Sequence, residues 1–339
     1  MAGTQDKKRA NLRDVAKAAE VSVATVSRVL NAPDAVSPKT RERVEAAIRT
    51  LRFVPSAAAR AINSGRTRFV GALVPTLDNA IFARFLAALE KTLGAHQLSL
   101  VVATTETDPG IEATKAKGLI DIGAEGLIVT GVSHSAEFHA LIERTMLPTI
   151  STSYYDAASQ MPTIGYDNAA AAQIALTHLA ELGHRRIAVV HGPARGNDRT
   201  QARLSGLRAL DLGLELSRFE TEISLRGGSA VVEDIFADNP RPDAILCLSD
   251  VVALGALFGL QGRGIAAPND VSLMGIDDLP SSAVAVPALT TVHLPVTRMG
   301  KRAAEALARW VAHQEAPGSE RLPASLVKRA STAKRMAPR

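Results

Sequence analysis

The spacing of apolar residues changes character near residue 68. Before that point it is helical throughout. Leu12, Val15, Ala16 and Ala19 form one short stripe, Val26, Val29 and Leu30 a second, and Val44, Ala47, Ile48 and Leu51 a third. From Phe69 onward, short continuous apolar runs alternate with helical patterns. The runs Phe69–Pro75, Ser99–Ala103, Gly126–Thr130 and Pro148–Ile150 read as strands, with helices over Ala80–Leu93 and Ile111–Ile122. The rhythm then restarts. Helices are expected at Asn168–Leu182, Arg199–Leu212 and Val251–Gly262, and strands at Arg186–His191, Ala244–Leu248 and Val271–Gly275. Continuous apolar strands separated by helices predict parallel sheets covered on both faces, and two such series predict two lobes. The segments after Leu289 read as crossovers returning to each lobe.

The first three helices have clear starts. Asn11 is placed to cap free amides, and Asp14 suits the positive end of the helix dipole. Glu20-Val21 breaks the first helix, and Ser22 caps the second. Ser37-Pro38 pairs a cap with proline at the first helical position. Two short helices joined by a tight turn, with a third behind, make a helix-turn-helix. In that plan the first turn of the second helix enters the major groove. Here it presents Val23, Ala24 and Thr25, then Ser27 and Arg28. Ala and Val can meet thymine methyls, and Arg28 can fork to guanine. Ser22, Thr25, Ser27, Asn31 and Lys39 are expected to position the backbone through phosphates.

Charge sharpens this division. Residues 1–68 hold fourteen Lys and Arg against six Asp and Glu, a balance of +8, whereas the whole chain carries +5. A basic head on a mildly acidic body predicts that the head meets a polyanion. No apolar run approaches the roughly 18 residues of a membrane span, and the amino-terminal stretch lacks the apolar core of a signal peptide. Cys247 is the only cysteine, so no internal disulfide forms, and a reducing cytoplasm is the expected location. Its apolar setting predicts a buried thiol.

Ligands of doubly wound folds bind at the carboxyl ends of the strands. The residues there are Asp78-Asn79 and Phe82, then Arg195, Asn197, Asp198, Arg199 and Arg203, then Ser249-Asp250 and Asp277-Asp278. Carboxylate, guanidinium, amide and hydroxyl groups together suit a polyol, whose hydroxyls need both donors and acceptors. Three arginines in one segment leave two readings open: an acidic or phosphorylated sugar, or a neutral one with two arginines facing solvent. Asp250 reads as a helix cap, and so does Asp167. No phosphate-binding glycine loop, nucleophile elbow or zinc-binding helix occurs, and the eight histidines lack metal-ligand spacing. No catalytic residue, metal or cofactor is expected. A sugar-metabolising enzyme and a transport-linked binding protein remain the alternatives. The first would need chemistry that these motifs do not provide, and the second an export signal and no helix-turn-helix.

The run Asn11–Asn31, followed by Val36–Val44 and Phe53–Arg60, resembles the opening of the lactose/galactose repressor family. Leu182–Val190, Arg203–Gly206, Leu248–Ala256, Met274–Asp278 and Pro287–Val292 resemble its effector domain, so the likeness covers about residues 10 to 332. The turn departs from the family in carrying Glu20 where glycine is usual. The resemblance implies an α/β protein: a small all-α helix-turn-helix head over 1–54, a hinge helix and linker over 55–66, and a two-lobed doubly wound effector and dimerisation domain over 67–339. One lobe is expected from 67–165 plus 293–325, the other from 166–292 plus 326–339. It also implies that the hinge enters the minor groove, with Ile62 as the wedge and Ala59 one turn earlier. A helix of about two turns is too short to stand alone in water, so the hinge is expected to fold only when supported. By the same likeness, Arg203, Ser249 and Asp277 fall on effector-contacting positions, and Asn79 and Phe82 face the same cleft. Arg199 joins them from its place after the strand. The expected function is DNA-binding regulation by a homodimer on a pseudo-palindromic operator, controlled by a sugar or sugar-acid effector.

Overall fold

The computed structural model describes residues 10–54, 65–106, 108–237 and 241–335. The chain divides into two compact units, with the boundary between Arg68 and Phe69.

The first unit is helical. Helices α1 (Leu12–Ala18), α2 (Val23–Asn31) and α3 (Pro38–Leu51) surround a small core of Val15, Ala16, Ala19, Val26, Val29, Val44, Ala47 and Phe53. The caps explain why such short helices start where they do. The Asn11 side chain accepts from the amides of Arg13 and Asp14 at 2.8 and 3.2 Å, and Asp14 accepts in return from the Asn11 amide at 2.8 Å. This reciprocal box satisfies donors that the first turn would leave orphaned. Ser22 Oγ accepts from the Thr25 amide, and Ser37 Oγ from the Thr40 amide. Glu20, in the turn between α1 and α2, has φ +52°, the left-handed conformation that glycine adopts freely.

The second unit holds two six-stranded sheets. Its strands are β1 (Phe69–Val74), β2 (Ser99–Thr104), β3 (Ala124–Thr130), β4 (Thr149–Thr152), β5 (Thr163–Gly165), β6 (Arg186–His191), β7 (Glu215–Glu220), β8 (Ala244–Cys247), β9 (Ser272–Asp277), β10 (Thr290–His293), β11 (Glu320–Arg321) and β12 (Ser325–Val327). Its helices are α4 (Ala80–Ala95), α5 (Pro109–Asp121), α6 (Ala136–Thr145), α7 (Asn168–Glu181), α8 (Asp198–Arg208), α9 (Leu225–Ala237), α10 (Asp250–Gly262), α11 (Pro280–Val284) and α12 (Val296–His313). The first lobe's sheet runs β11-β5-β4-β3-β1-β2 and is parallel throughout. The second runs β12-β10-β9-β8-β6-β7. Here the expectation of purely parallel sheets is corrected, because β12 pairs antiparallel with β10. It enters directly from the first lobe without a covering helix, so nothing turns it parallel.

The chain passes between lobes three times: from β5 to α7, from β10 to α12, and from β11 to β12. In each sheet the connections leave in opposite directions from one point, between β1 and β3 and between β6 and β8. The loops part there, and a crevice opens at the carboxyl ends of the strands. Cys247 is fully buried, and burial pushes its thiol well above the ordinary range, so it stays protonated and inert.

Candidate ligand cleft and nucleic-acid face

A cleft of about 1090 Å³ opens at the carboxyl ends of both sheets. Asn79, Phe82, Arg199, Arg203, Ser249 and Asp277 all line it, brought together from the segments that follow β1, β6 and β8 and from the end of β9. Asn79 caps α4 through the amide of Ile81 at 3.3 Å, and Phe82 lies half-buried one turn in.

The floor is a polar network. Asp277 closes β9 with φ +138° and is 3% exposed. Its Oδ2 accepts from Ser249 Oγ at 3.0 Å and from the Asp250 amide at 3.3 Å, while Arg203 Nη2 stands 4.0 Å from its Oδ1. Burial pushes its carboxyl up to about 7; Arg203 opposes this and the neighbouring Asp250 adds to it. Ser249 is the first residue before α10 but makes no side-chain cap, because its hydroxyl is turned to Asp277. Arg203 donates from Nε to Asn168 Oδ1 at 3.1 Å and from Nη1 to the Leu248 carbonyl.

Asp250 is not the helix cap expected from its place in the sequence. It is fully buried inside the first turn of α10, where Thr291 Oγ1, Ser282 Oγ and the Leu279 amide donate to it at 2.5, 2.6 and 2.9 Å. It fastens the segment after β9 and strand β10 to α10. Asp167 does cap α7, accepting from the Ala170 amide, and it also pairs with Arg321 at 2.9 Å. Asp278 turns away from the cleft to Arg329 and His293, at 2.6 and 2.9 Å.

Asn168, which the sequence did not single out, and Asp198, expected only among the groups at the strand ends, hold the lobes together. Asn168 donates from Nδ2 to the Ser153 carbonyl of the first lobe while receiving Arg203 of the second. As the opening residue of a helix it carried no distinctive sequence signal. Asp198 begins α8 in the second lobe, and its Oδ2 accepts from the first lobe's Val132 and Ser133 amides at 2.5 and 3.0 Å. Its Oδ1 holds Arg199 Nη1 at 2.8 Å. Gly131 makes this approach possible. It has φ +89°, and a Cβ there would lie 2.6 Å from both the Asp198 carboxylate and the Arg199 guanidinium. Arg84 Nη1 adds a further bond across the lobes, to the Asp278 carbonyl at 2.9 Å. Arg195 is exposed and does not line the cleft.

In the helical unit, Ser22, Val23, Ala24 and Arg28 are exposed along the first turns of α2. Val23 is 42% exposed. Ser22 and Thr25 hydroxyls lie 2.9 Å apart, tied to each other in the cap, and Thr25 and Ser27 are half-buried. Lys39 is exposed in the first turn of α3. Asn31 is the last residue of α2. Ala59 and Ile62, together with the predicted hinge helix, lie outside the described residues.

A capped helix-turn-helix whose second helix begins with exposed apolar residues, followed by a two-lobed cleft domain, defines the class of ligand-responsive DNA-binding regulators. Comparison with known proteins names its family. Residues 11–56 match the model of bacterial regulatory proteins of the lacI family, and residues 176–332 match that of a periplasmic binding protein-like domain. The chain is 33% identical to the transcriptional regulator MalR of Streptomyces coelicolor over 323 residues, 91% of this chain and 92% of that one. It is 30% identical to the transcriptional repressor PurR of Escherichia coli over 332 residues, 96% and 97% of the two chains. A crystal structure of the Lac repressor dimer bound to operator and the anti-inducer ONPF superposes with a TM-score of 0.86 at 27% identity, over 96% of this chain and 100% of that one. The chain belongs to the lacI family and is a transcriptional regulator. No helix among the described residues is long and apolar enough to cross a membrane.

Proposed function

We propose that this regulator is a cytoplasmic repressor of sugar or sugar-acid catabolic genes, released from or held on its operator by a carbohydrate-like effector in the cleft. The observation that carries this reading is the convergence of Asn79, Phe82, Arg199, Arg203, Ser249 and Asp277 on one cavity. Its floor offers acceptors from Asp277 and donors from Arg203 and Ser249, the alternation that a ring of hydroxyls requires. We assign binding and not catalysis to it: the polar groups of the floor bond one another, and the relatives that the chain resembles over most of its length are transcriptional regulators.

On the DNA side, Val23, Ala24 and Arg28 are assigned to base edges, and Ser22, Thr25, Ser27, Asn31 and Lys39 to the phosphate backbone. Ala59 and Ile62 are assigned to the minor groove. The dimeric, operator-bound state of the Lac repressor supports a two-fold homodimer here, reading a pseudo-palindromic site. Ligand and DNA are linked through closure of the lobes, with a coupling of roughly 1–3 kcal/mol typical of such systems.

The test is selection of duplexes from a random pool by the full-length protein, followed by titration of the selected site with sugars. A symmetric site whose occupancy shifts with a sugar is expected. Arg203→Ala should retain the site and lose the shift; a normal shift in that variant removes Arg203 from the effector site. Ile62→Gly should weaken operator binding and leave ligand binding intact; unchanged operator affinity refutes the hinge assignment.

A further inference from the structure

Resting on the reading of the cleft as a carbohydrate site, we infer that its ligand is an uncharged sugar or polyol carrying an apolar substituent, not a sugar acid or phosphosugar.

The charge of the cleft argues against an anion. Its guanidiniums are Arg199, Arg203 and Arg226. Opposite them stand four carboxylate side chains, Asp78, Glu106, Glu222 and Asp277. The two inner guanidiniums are already engaged. Arg199 is held by Asp198 at 2.8 Å, and that carboxylate is itself anchored by two amides of the opposite lobe. Arg203 is held by Asn168 and the Leu248 carbonyl and stands 4.0 Å from Asp277. An incoming carboxylate or phosphate would have to displace Asp198 or lie against Asp277. Either would set the anion against a second carboxyl group deep in the cleft, and the third guanidinium, Arg226, is exposed and away from that floor. Arg195, the third arginine of the segment, is exposed and does not line the cleft.

The mouth of the cleft supplies the second half of the argument. Leu77 of the first lobe and Ile223 and Leu225 of the second line it while 56%, 36% and 46% exposed. Single exposed aliphatics are ordinary, but three around one opening, drawn from both lobes, form a patch. Ile223 packs where Gly192 carries no side chain, so its place over the opening is built in. The volume of about 1090 Å³ sits at the top of the roughly 300–1,000 Å³ range of small-molecule pockets. A single sugar ring on the polar floor therefore leaves the apolar mouth to be filled.

The experiment uses the full-length protein with three matched pools read by thermal shift. One holds neutral mono- and disaccharides with their alkyl and phenyl glycosides, one the corresponding uronates and aldonates, and one the sugar phosphates. The active compound is then resolved and titrated by calorimetry. A shift from the neutral pool alone is expected, with the glycoside binding at least tenfold more tightly than its parent sugar. In Leu77→Ser/Ile223→Ser that preference should fall to about twofold. Tighter binding of an acidic or phosphorylated form overturns the inference, as does equal binding of glycoside and parent sugar. Silence from all three pools instead overturns the carbohydrate reading on which it rests.

Discussion

Asp277 sits where chemistry and stability meet. Its carboxyl is raised to about 7 by burial, from an ordinary 3.8. Between those values the folded chain holds a proton that the unfolded chain releases. The stabilisation from that proton is present at low pH and is lost as pH rises through 7. Asp277→Asn keeps the shape and removes the titration. The stability of the variant relative to the parent, read from urea midpoints, should therefore climb between about pH 4 and pH 7 and level off above that. A difference that stays constant with pH would show that Asp277 is ionised throughout. Such a group was legible from its place after an apolar strand, and so were Arg203 and Ser249. Asp250 was not, because one residue of offset separates a cap from a buried hub, and only the positions of Ser282 and Thr291 decide between them. Asn168 escaped for a similar reason: its two partners lie 15 and 35 residues away along the chain.

Among the elements, those that bury themselves on both faces announced themselves. β6, β8 and β9 have continuous apolar centres and were read directly from the sequence. β7 was missed, since this edge strand faces solvent along most of its length and carries Glu215, Ser217, Arg218 and Glu220. β5 is three residues long, too short for a period to develop. The helix-turn-helix was legible down to its caps. Its one irregularity carries a prediction. Glu20 holds a left-handed φ in the turn, a conformation costing a side-chain-bearing residue roughly 1–2 kcal/mol. Glycine removes that cost but adds unfolded-state entropy. Glu20→Gly should therefore stabilise the head by up to about 1 kcal/mol in denaturant titrations of the full chain. A loss of stability would mean that the Glu20 side chain has its own stabilising role.

For the whole molecule, the two lobes are held in register by a few polar bonds as well as by the three chain passages. Asp198 carries two of those bonds, to Val132 and Ser133, and Arg84 a third. Asp198→Ala should let the ligand-free cleft open, read as an increased radius of gyration in solution scattering, and should weaken effector binding several-fold. An unchanged radius would mean that the passages alone fix the lobes. None of these bonds was visible in the sequence, since backbone amides have no sequence signature and the pairing depends on how close two loops come.

The threefold passage also governs the order in which the molecule can be completed during synthesis. The second lobe is closed by its carboxy-terminal segment: β12 zips onto β10, Ser331 bonds Leu273 and Thr290, His184 reaches the Ala333 carbonyl, and Arg335 pairs with Asp243. The head comes first along the chain and has its own core. On the ribosome, the DNA-reading part therefore emerges hundreds of residues before the ligand domain can finish its second sheet. A message broken near its end would yield chains with a complete helix-turn-helix head and an unfinished second sheet.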